Sequence, residues 1–300
     1  MNGILILDKP AGFTSFDVVA VLRGLTRQKK IGHTGTLDPM ATGVLPILLG
    51  CATRAEALLP DTDKEYEAGF RLGIATDTQD TTGKTVAESG RGAARQELEA
   101  ALGAFRGDIL QVPPMVSAVS VGGKRLYELA RQGIEVERKP RPVTISRLEL
   151  LSYNEADRSG TLRVACSKGT YIRTLCADLG EALHTYGVMS SLRRTRASGF
   201  TLTDCITLPQ AKELAAEGRL EKRVLPVESL FAGMPEVAVS PAQASRFCNG
   251  GALDLERTAL RRETPAEGTV FRVKDPDGGF LGLGSAENGQ LRVLRLFPGG

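Results

Sequence analysis

"VTISRLELLSYNEADRSGTLRVACSKG", residues 143–169, reads as two strands that follow one another through a short turn. A helix, "YIRTLCADLGEALH" (171–184), and another strand, "MSSLRRTRASGF" (189–200), come next. Strands that neighbour one another through short turns make an antiparallel or mixed sheet, with helices packed on it. The predicted fold class is therefore α+β: a mixed, largely antiparallel sheet flanked by helices, rather than a doubly wound parallel sheet.

The same pattern extends upstream. The apolar run "ILILD" (4–8) is a strand, and "TSFDVVAVLRGL" (14–25) is a helix that opens with Thr14 and Asp17 at capping-box spacing. "EYEAGFRLG" (65–73) alternates Tyr66, Ala68, Phe70 and Leu72 on one face of a half-buried strand. "RQELEAALGAF" (95–105) is an amphipathic helix, "VSAVSVGGKRL" (116–126) a hairpin turning at Gly122-Gly123, and "RLYELARQG" (125–133) a short helix stopped by Gly133. "TGVLPILLGCATRAEALL" (42–59) reads as a helix with Pro46 near its first turn. Downstream, "RLEKRVLPVESLFAGMPE" (219–236) breaks the pattern with two prolines and a glycine. A short helix, "PAQASRFCNG" (241–250), and three strands, "TVFRVKD" (269–275), "FLGLGSA" (280–286) and "QLRVLRLF" (290–297), follow. The chain thus divides into a domain over 1–232 and a small β-rich module over 233–300.

Composition bounds the function. At 42% hydrophobic and 24% charged residues the chain is an ordinary globular one, and no apolar run approaches the ~20 residues of a membrane span. "MNGILILDKP" (1–10) carries an acid where a signal peptide would continue its apolar stretch, so a cytoplasmic protein is expected. Five cysteines without a C-x-x-C pair indicate neither a disulfide framework nor a zinc knuckle, and most of them read as small buried hydrophobes. With only His33 and His184, a multi-histidine metal site is excluded and Ser-His or Cys-His catalysis has little room. "TGKT" (82–85) lacks the glycine a phosphate loop needs five residues before Gly83, where Thr78 stands. Asp77 and Asp80 lack calcium-loop spacing and read as a solvated turn.

The net charge is only +3, yet the cations are segregated. Four windows without an acid, 18–37, 109–127, 158–177 and 182–203, hold 13 of the 38 Lys and Arg residues. Brought together in space, they would form a surface suited to phosphates. Within the first window begins "GHTGTLDPMATGVLP" (32–46), where Gly32, Gly35, Gly43, Pro39 and Pro46 shape a loop around one carboxylate, Asp38. Spacing alone leaves Asp38 either a functional acid held still or a turn residue before a proline.

The longer segment "GHTGTLDPMATGVLPILLG" (32–50) resembles the catalytic segment of the TruB-type tRNA pseudouridine-55 synthases. Five other stretches match that family in order: "LDKPAGFTSFDVV" (7–19), "KEYEAGFRLGIATDTQDTTG" (64–83), "VPPMVSAVSVGGKRLYELARQGIEVER" (112–138), "CSKGTYIRTLCADLG" (166–180) and "SSLRRTRASG" (190–199). The resemblance covers roughly residues 3–205, and the tail matches in kind as a PUA-like RNA-binding domain. It implies isomerisation of uridine 55 in the T arm of tRNA, with the nucleotide flipped out to meet Asp38 as nucleophile. No cofactor, metal, membrane or protein partner is implied.

By the same resemblance Arg173 pairs with Asp38, Tyr66 stacks on the base and can handle the proton at C5, Tyr171 and Leu192 contact the substrate, His33 lies beside the extruded nucleotide, and Lys9 lies near the site. Read without the family, Arg173 is a surface charge on a helix, while Tyr66 and Leu192 are core residues of strands. Lys29, Lys30, Arg193 and Arg194 are the cations expected to hold the RNA backbone. Two other readings are a related synthase acting on other, guide-directed RNA and a non-catalytic RNA-binding or chaperone protein; the intact set Asp38, Tyr66 and Arg173 speaks against the latter.

Overall fold

The computed structural model of the protein describes residues 1–117 and 119–297. Ala118, in the expected hairpin segment, and 298–300, at the end of the expected module, lie outside the described residues. Ten strands form the main sheet: β1 (Gly3–Lys9), β2 (Ile31–His33), β3 (Thr42–Leu49), β4 (Lys64–Leu72), β5 (Gly107–Gln111), β6 (Arg141–Asn154), β7 (Ser159–Cys166), β8 (Gly187–Ala197), β9 (Phe200–Thr201) and β10 (Ile206–Thr207). Their order is β10-β1-β3-β8-β4-β7-β6-β5, with β2 paired to β3 and β9 to β8. The β1/β10 and β3/β8 pairs are parallel and the others antiparallel, so the sheet is mixed and largely antiparallel.

The alternation in β4 does what its sequence predicts. Tyr66, Ala68, Phe70 and Leu72 join Leu162 and Val164 of β7 in one core, closed by Leu175 and Leu179 of the helix Ile172–Ala182. The first helix, α1 (Ser15–Thr26), starts at Thr14, whose hydroxyl accepts the Asp17 N–H at 3.0 Å while the Asp17 carboxylate accepts that of Thr14 at 2.8 Å. The hairpin pairs Ser120 with Arg125 and Val121 with Lys124 around Gly122 and Gly123, both at positive φ.

One expected helix is a strand. Residues 42–49 form β3, and two short 3-10 turns (Gly50–Arg54, Glu56–Leu58) follow. Every residue from Gly43 onward in β3 is buried, so no polar alternation marks it, and a short apolar run of that kind cannot be told from a helix by period. The alternation exists between two cores instead. Val44 and Leu48 pack with Ile4 and Ile6 of β1, whereas Leu45, Ile47 and Leu49 pack with Leu5, Leu7, and Val18 and Leu22 of α1. Pro46 fits because its carbonyl, and with it the ring nitrogen, faces past the end of β2, where it accepts the Thr34 N–H at 3.0 Å.

The C-terminal part is a five-stranded sheet around Val270–Lys274, Phe280–Glu287 and Gln290–Leu296, with a helix at Pro241–Cys248 capped by Ser240. It has a core of its own, including Phe247, Phe271 and Leu291. A second core crosses the boundary expected near residue 233. Phe231 lies 6.3 Å from Phe280 and 5.8 Å from Phe297 between ring centroids, and this cluster is continuous with Ile4, Ile6 and Val44. Arg272 reinforces the junction with bonds to Glu228 (2.5 Å) and to the Met234 carbonyl (3.0 Å). Cys51, Cys166 and Cys176 are buried, as expected of small hydrophobes.

Candidate active site

Two buried cations anchor the loop between β2 and β3. Lys9, at the end of β1, donates to the carbonyls of Pro10 (2.9 Å), Phe13 (2.5 Å) and Pro39 (3.3 Å). Burial lowers its pKa to about 8, against the opposing pull of Asp38. Arg194, on β8, is fully buried, and donates from Nε to the Val44 carbonyl (2.7 Å) and from Nη2 to that of Gly35 (3.1 Å). Gly43 lets β8 approach: it has φ +105°, and a Cβ there would sit 2.1 Å from the Arg194 carbonyl oxygen. The Ser15 hydroxyl accepts the Leu37 N–H at 2.9 Å, and Gly12 N–H donates to the Pro39 carbonyl at 2.8 Å. Asp38 is thereby held in place from both sides of its loop.

Arg194 is a correction to the expectation of a phosphate contact. An arginine with no exposed surface cannot reach RNA; its place opposite Tyr66 and Gly43 in the β8 register makes it internal scaffolding. Arg193, next to it, forks onto Asp8 at 2.7 and 3.1 Å, so its charge is met within the protein. Arg196 likewise pairs with Asp61. Lys29 and Lys30 are exposed, and neither forms an ion pair among the described residues. In the fourth acid-free window one arginine is thus buried and two are paired with acids at the surface, while the first window presents its lysines to solvent unpaired among the described residues.

Asp38 meets Arg173 in the first turn of the helix Ile172–Ala182. Arg173 Nε is 3.0 Å from Asp38 Oδ2, and Nη2 is 3.3 Å from Oδ1. The guanidinium is 5% exposed and the carboxylate 36%. Nη1 donates to the Thr78 carbonyl (3.1 Å) and Nη2 also to that of Val116 (2.9 Å), so the fork is aimed by backbone from two other segments. Desolvation raises the Asp38 pKa above that of a free aspartate, and nearby Asp80 adds to it; Arg173 and Lys9 oppose the shift.

Asp80 is a second correction. It is a buried acid, not a solvated one, with Oδ2 3.9 Å from Arg173 Nε. Its Oδ1 accepts from Thr78 Oγ1 (2.9 Å) and from Thr82 N (2.9 Å) and Oγ1 (2.5 Å). The turn that carries it docks on β8 through Thr81 N–H to the Met189 carbonyl (3.0 Å) and Met189 N–H to that of Gln79 (3.1 Å). Asp77, by contrast, is an exposed turn residue as read. The threonines two residues either side of Asp80 favour a local turn in any setting, so only the docking reveals the burial.

Tyr66, Tyr171 and Leu192 come together with Asp38 and Arg173 around a pocket of about 90 Å³. Burial pushes the Tyr66 phenol up to about 12, with neighbouring Arg194 acting against it, so the ring is a protonated, largely apolar wall. Tyr171 is fixed by its backbone: its N–H donates to Gln111 Oε1 at 2.8 Å and its carbonyl accepts from Gln111 Nε2 at 3.0 Å. The pocket adjoins an open cleft of about 950 Å³ that shares Thr36, Leu37 and Asp38 and is further lined by His33, Phe16, Val116, Tyr127 and Ile134. Burial and Arg194 lower the His33 pKa, which favours the neutral ring. The arrangement offers one oriented carboxylate shared by a small slot between flat and apolar side chains and a larger open cleft. Such a carboxylate is suited to nucleophilic or proton-transfer chemistry.

Comparison with known proteins adds the lineage. Residues 23–172 match the family model described as "TruB family pseudouridylate synthase (N terminal domain)", residues 173–232 "tRNA pseudouridylate synthase B C-terminal domain", and residues 235–297 "Pseudouridine synthase II TruB, C-terminal". The chain is 47% identical over 310 residues to tRNA pseudouridine synthase B of Geobacillus thermodenitrificans, covering 99% of this chain and 100% of that one. It is 44% identical over 296 residues to the protein of the same name from Azoarcus sp., covering 99% and 95%. Among solved structures, a Cbf5-Nop10-Gar1 complex superposes with a TM-score of 0.75 at 26% identity, over 98% of this chain and 84% of that one. With Asp38, Arg173, Tyr66 and Leu192 converging on one pocket and similarity running along nearly the whole chain, the protein belongs to the TruB family of pseudouridylate synthases.

Proposed function

We propose that this protein converts uridine 55 in the T arm of tRNA to pseudouridine, with Asp38 as the nucleophile on a flipped-out nucleotide. An Asp38 carboxylate oxygen bonds to the nucleotide as the N1–C1′ bond gives way, and the uracil turns in the slot. C5 then bonds to C1′, the aspartate is released, C5 loses its proton and N1 gains one. The observation that carries this reading is the Asp38–Arg173 fork at the edge of a pocket walled by Tyr66 and Leu192. An acid must be ionised to act as a nucleophile, and desolvation favours its neutral form; the guanidinium offsets part of that cost and orients the carboxylate.

The other residues take supporting roles. Tyr66 stacks on the uracil, and because burial keeps its phenol protonated it can take the C5 proton only by passing on its own. Leu192 and Tyr171 close the slot, and neutral His33 at the cleft wall stacks where the nucleotide leaves its loop. Lys9 holds Pro39, next to Asp38. Lys29 and Lys30 contact phosphates, which position the loop without reading sequence. The module over 233–300 acts as a PUA-like RNA-binding domain. Relatives aligned along nearly their whole length are named tRNA pseudouridine synthase B, which supports tRNA as substrate.

The test is direct. The purified protein and a tRNA transcript in which only position 55 carries a releasable C5 label should yield label and pseudouridine at that position, and the Asp38→Asn variant should bind the transcript while yielding neither. Conversion only in the presence of a guide RNA and partner proteins would move the protein to the guide-directed synthases; binding by the wild type with no conversion would leave a carrier of RNA.

A further inference from the structure

Phe16, in the first turn of α1, is 60% exposed, the most open of the large apolar side chains among the described residues apart from Val86 and Leu110, and it lines the same cleft as Asp38 and His33. An exposed phenylalanine alone means nothing. This one is braced: the Arg23 guanidinium carbon lies 5.3 Å from the ring centroid, and Arg23 is steadied from Nη2 by the Ile31 carbonyl at 3.4 Å. Arg23 Nε is buried without a partner, and the residue forms no ion pair with an acid among the described residues. The lower part of the helix is anchored as well, by the Thr14–Asp17 capping box. One face of a flat ring is thus backed by an unneutralised cation while the ring still opens to the cleft. The same cleft is lined by a second pair of the same kind, Tyr127 with Arg131 at 5.5 Å.

From this geometry we infer that Phe16 is a stacking platform for an unpaired base of the substrate RNA, a neighbour of the nucleotide that enters the Asp38 pocket. The inference rests on the function proposed above. A base laid on the open face completes a guanidinium–ring–base stack, in which the Arg23 charge is attractive to the adjoining phosphates and the ring loses solvent-exposed apolar surface. A stack of this kind takes any base and needs an unpaired one, so it selects loops over duplex. An apolar side chain without a flat face cannot replace it.

The chain contains no tryptophan, so Phe16→Trp introduces a sole indole at the proposed contact. Stacking on a base quenches indole emission. Titration of Phe16→Trp with a T-arm stem-loop should quench that emission by more than half at saturation, and a duplex of the same stem without its loop should not. Binding of the stem-loop, followed in parallel by a label on the RNA, should weaken about tenfold in Phe16→Ala. Phe16→Trp should stay within twofold of the wild type, and Phe16→Leu should behave like Phe16→Ala. Unchanged emission while the label reports full binding would overturn the inference, as would equal affinity of the Leu and wild-type proteins, which would reduce Phe16 to an apolar contact. Loss of binding in Phe16→Ala together with a lowered melting temperature would assign the residue to the fold and overturn it too. Wild-type protein that binds the stem-loop and leaves uridine 55 unconverted would instead sink the proposed reaction, whatever Phe16 does.

Discussion

Arg173 faces Asp38 with two nitrogens, Nη2 in a hydrogen bond at 3.3 Å and Nε in an ion-pair contact at 3.0 Å, while the carbonyls of Thr78 and Val116 fix the plane of the same guanidinium. A lysine would keep the charge and lose the fork and at least one of the carbonyl contacts. Arg173→Lys is expected to lower single-turnover pseudouridine formation by about a hundredfold with modest change in tRNA affinity. Asp38→Asn, which keeps volume and removes the nucleophile, should abolish formation altogether. Single-turnover assays beside filter binding separate the two quantities.

Burial raises the Asp38 pKa and Asp80 adds to the shift, and an acid whose pKa is raised loses its ionised form as pH falls through that higher value. The acid limb of the rate profile should therefore lie above the pH set by a free aspartate in the wild type. Asp80→Asn keeps an oxygen to accept from Thr78 and Thr82 and removes the charge, so the limb should move to lower pH. A limb that stayed in place would show that Asp80 does not act on Asp38 electrostatically.

Lys9 gives a second pH signature, this one in stability. Its folded pKa of about 8 lies below the unfolded 10.5, so the charged form is penalised in the fold and that penalty fades as pH rises through the window between them. Relative to Lys9→Met, the wild type should gain up to about 3 kcal/mol between pH 8 and pH 10.5, read from urea denaturation of both proteins across that range. The variant should also lose activity at least about tenfold, because Pro39 beside Asp38 loses its anchor.

Salt dependence sorts the surface cations from the buried one. Lys29→Ala and Lys30→Ala should each flatten the slope of log affinity against log salt by up to about 1. Arg194→Met should leave that slope alone and lower the melting temperature, since two carbonyls in the Asp38 loop and in β3 lose their donor.

Cutting the chain after residue 232 strips Phe231 of the Phe280 and Phe297 rings and opens the core that reaches Ile4 and Val44. The fragment should melt well below the full chain, and Phe280→Ala in the intact protein should already cost about 3 kcal/mol by thermal or urea unfolding. A fragment as stable as the whole would show that the shared core contributes little.

What the sequence by itself determined follows from local rules and from one polar loop. The capping box of Thr14 and Asp17, the half-buried alternation of β4 and the glycine pair of the hairpin each appear where their patterns place them, because neighbours in the chain decide them. Asp38, Tyr66, Tyr171, Leu192 and Arg173 were legible through their motifs, and the fold brings all five to one pocket. Tertiary structure alone decided the rest. β3 looks like a helix until two separate cores divide its side chains, for a segment buried on both faces carries no polar period. Arg193, Arg194 and Arg196 are alike on paper. The register and bulges of β8 send one to Asp8, one into the core and one to Asp61. Asp80 reads as a turn acid until Met189 draws its turn against the sheet, where burial turns a solvated charge into one that bears on Arg173 and Asp38. Burial is a property of what packs over a residue from elsewhere in the chain, and charge, hydrogen bonding and pKa all follow from it.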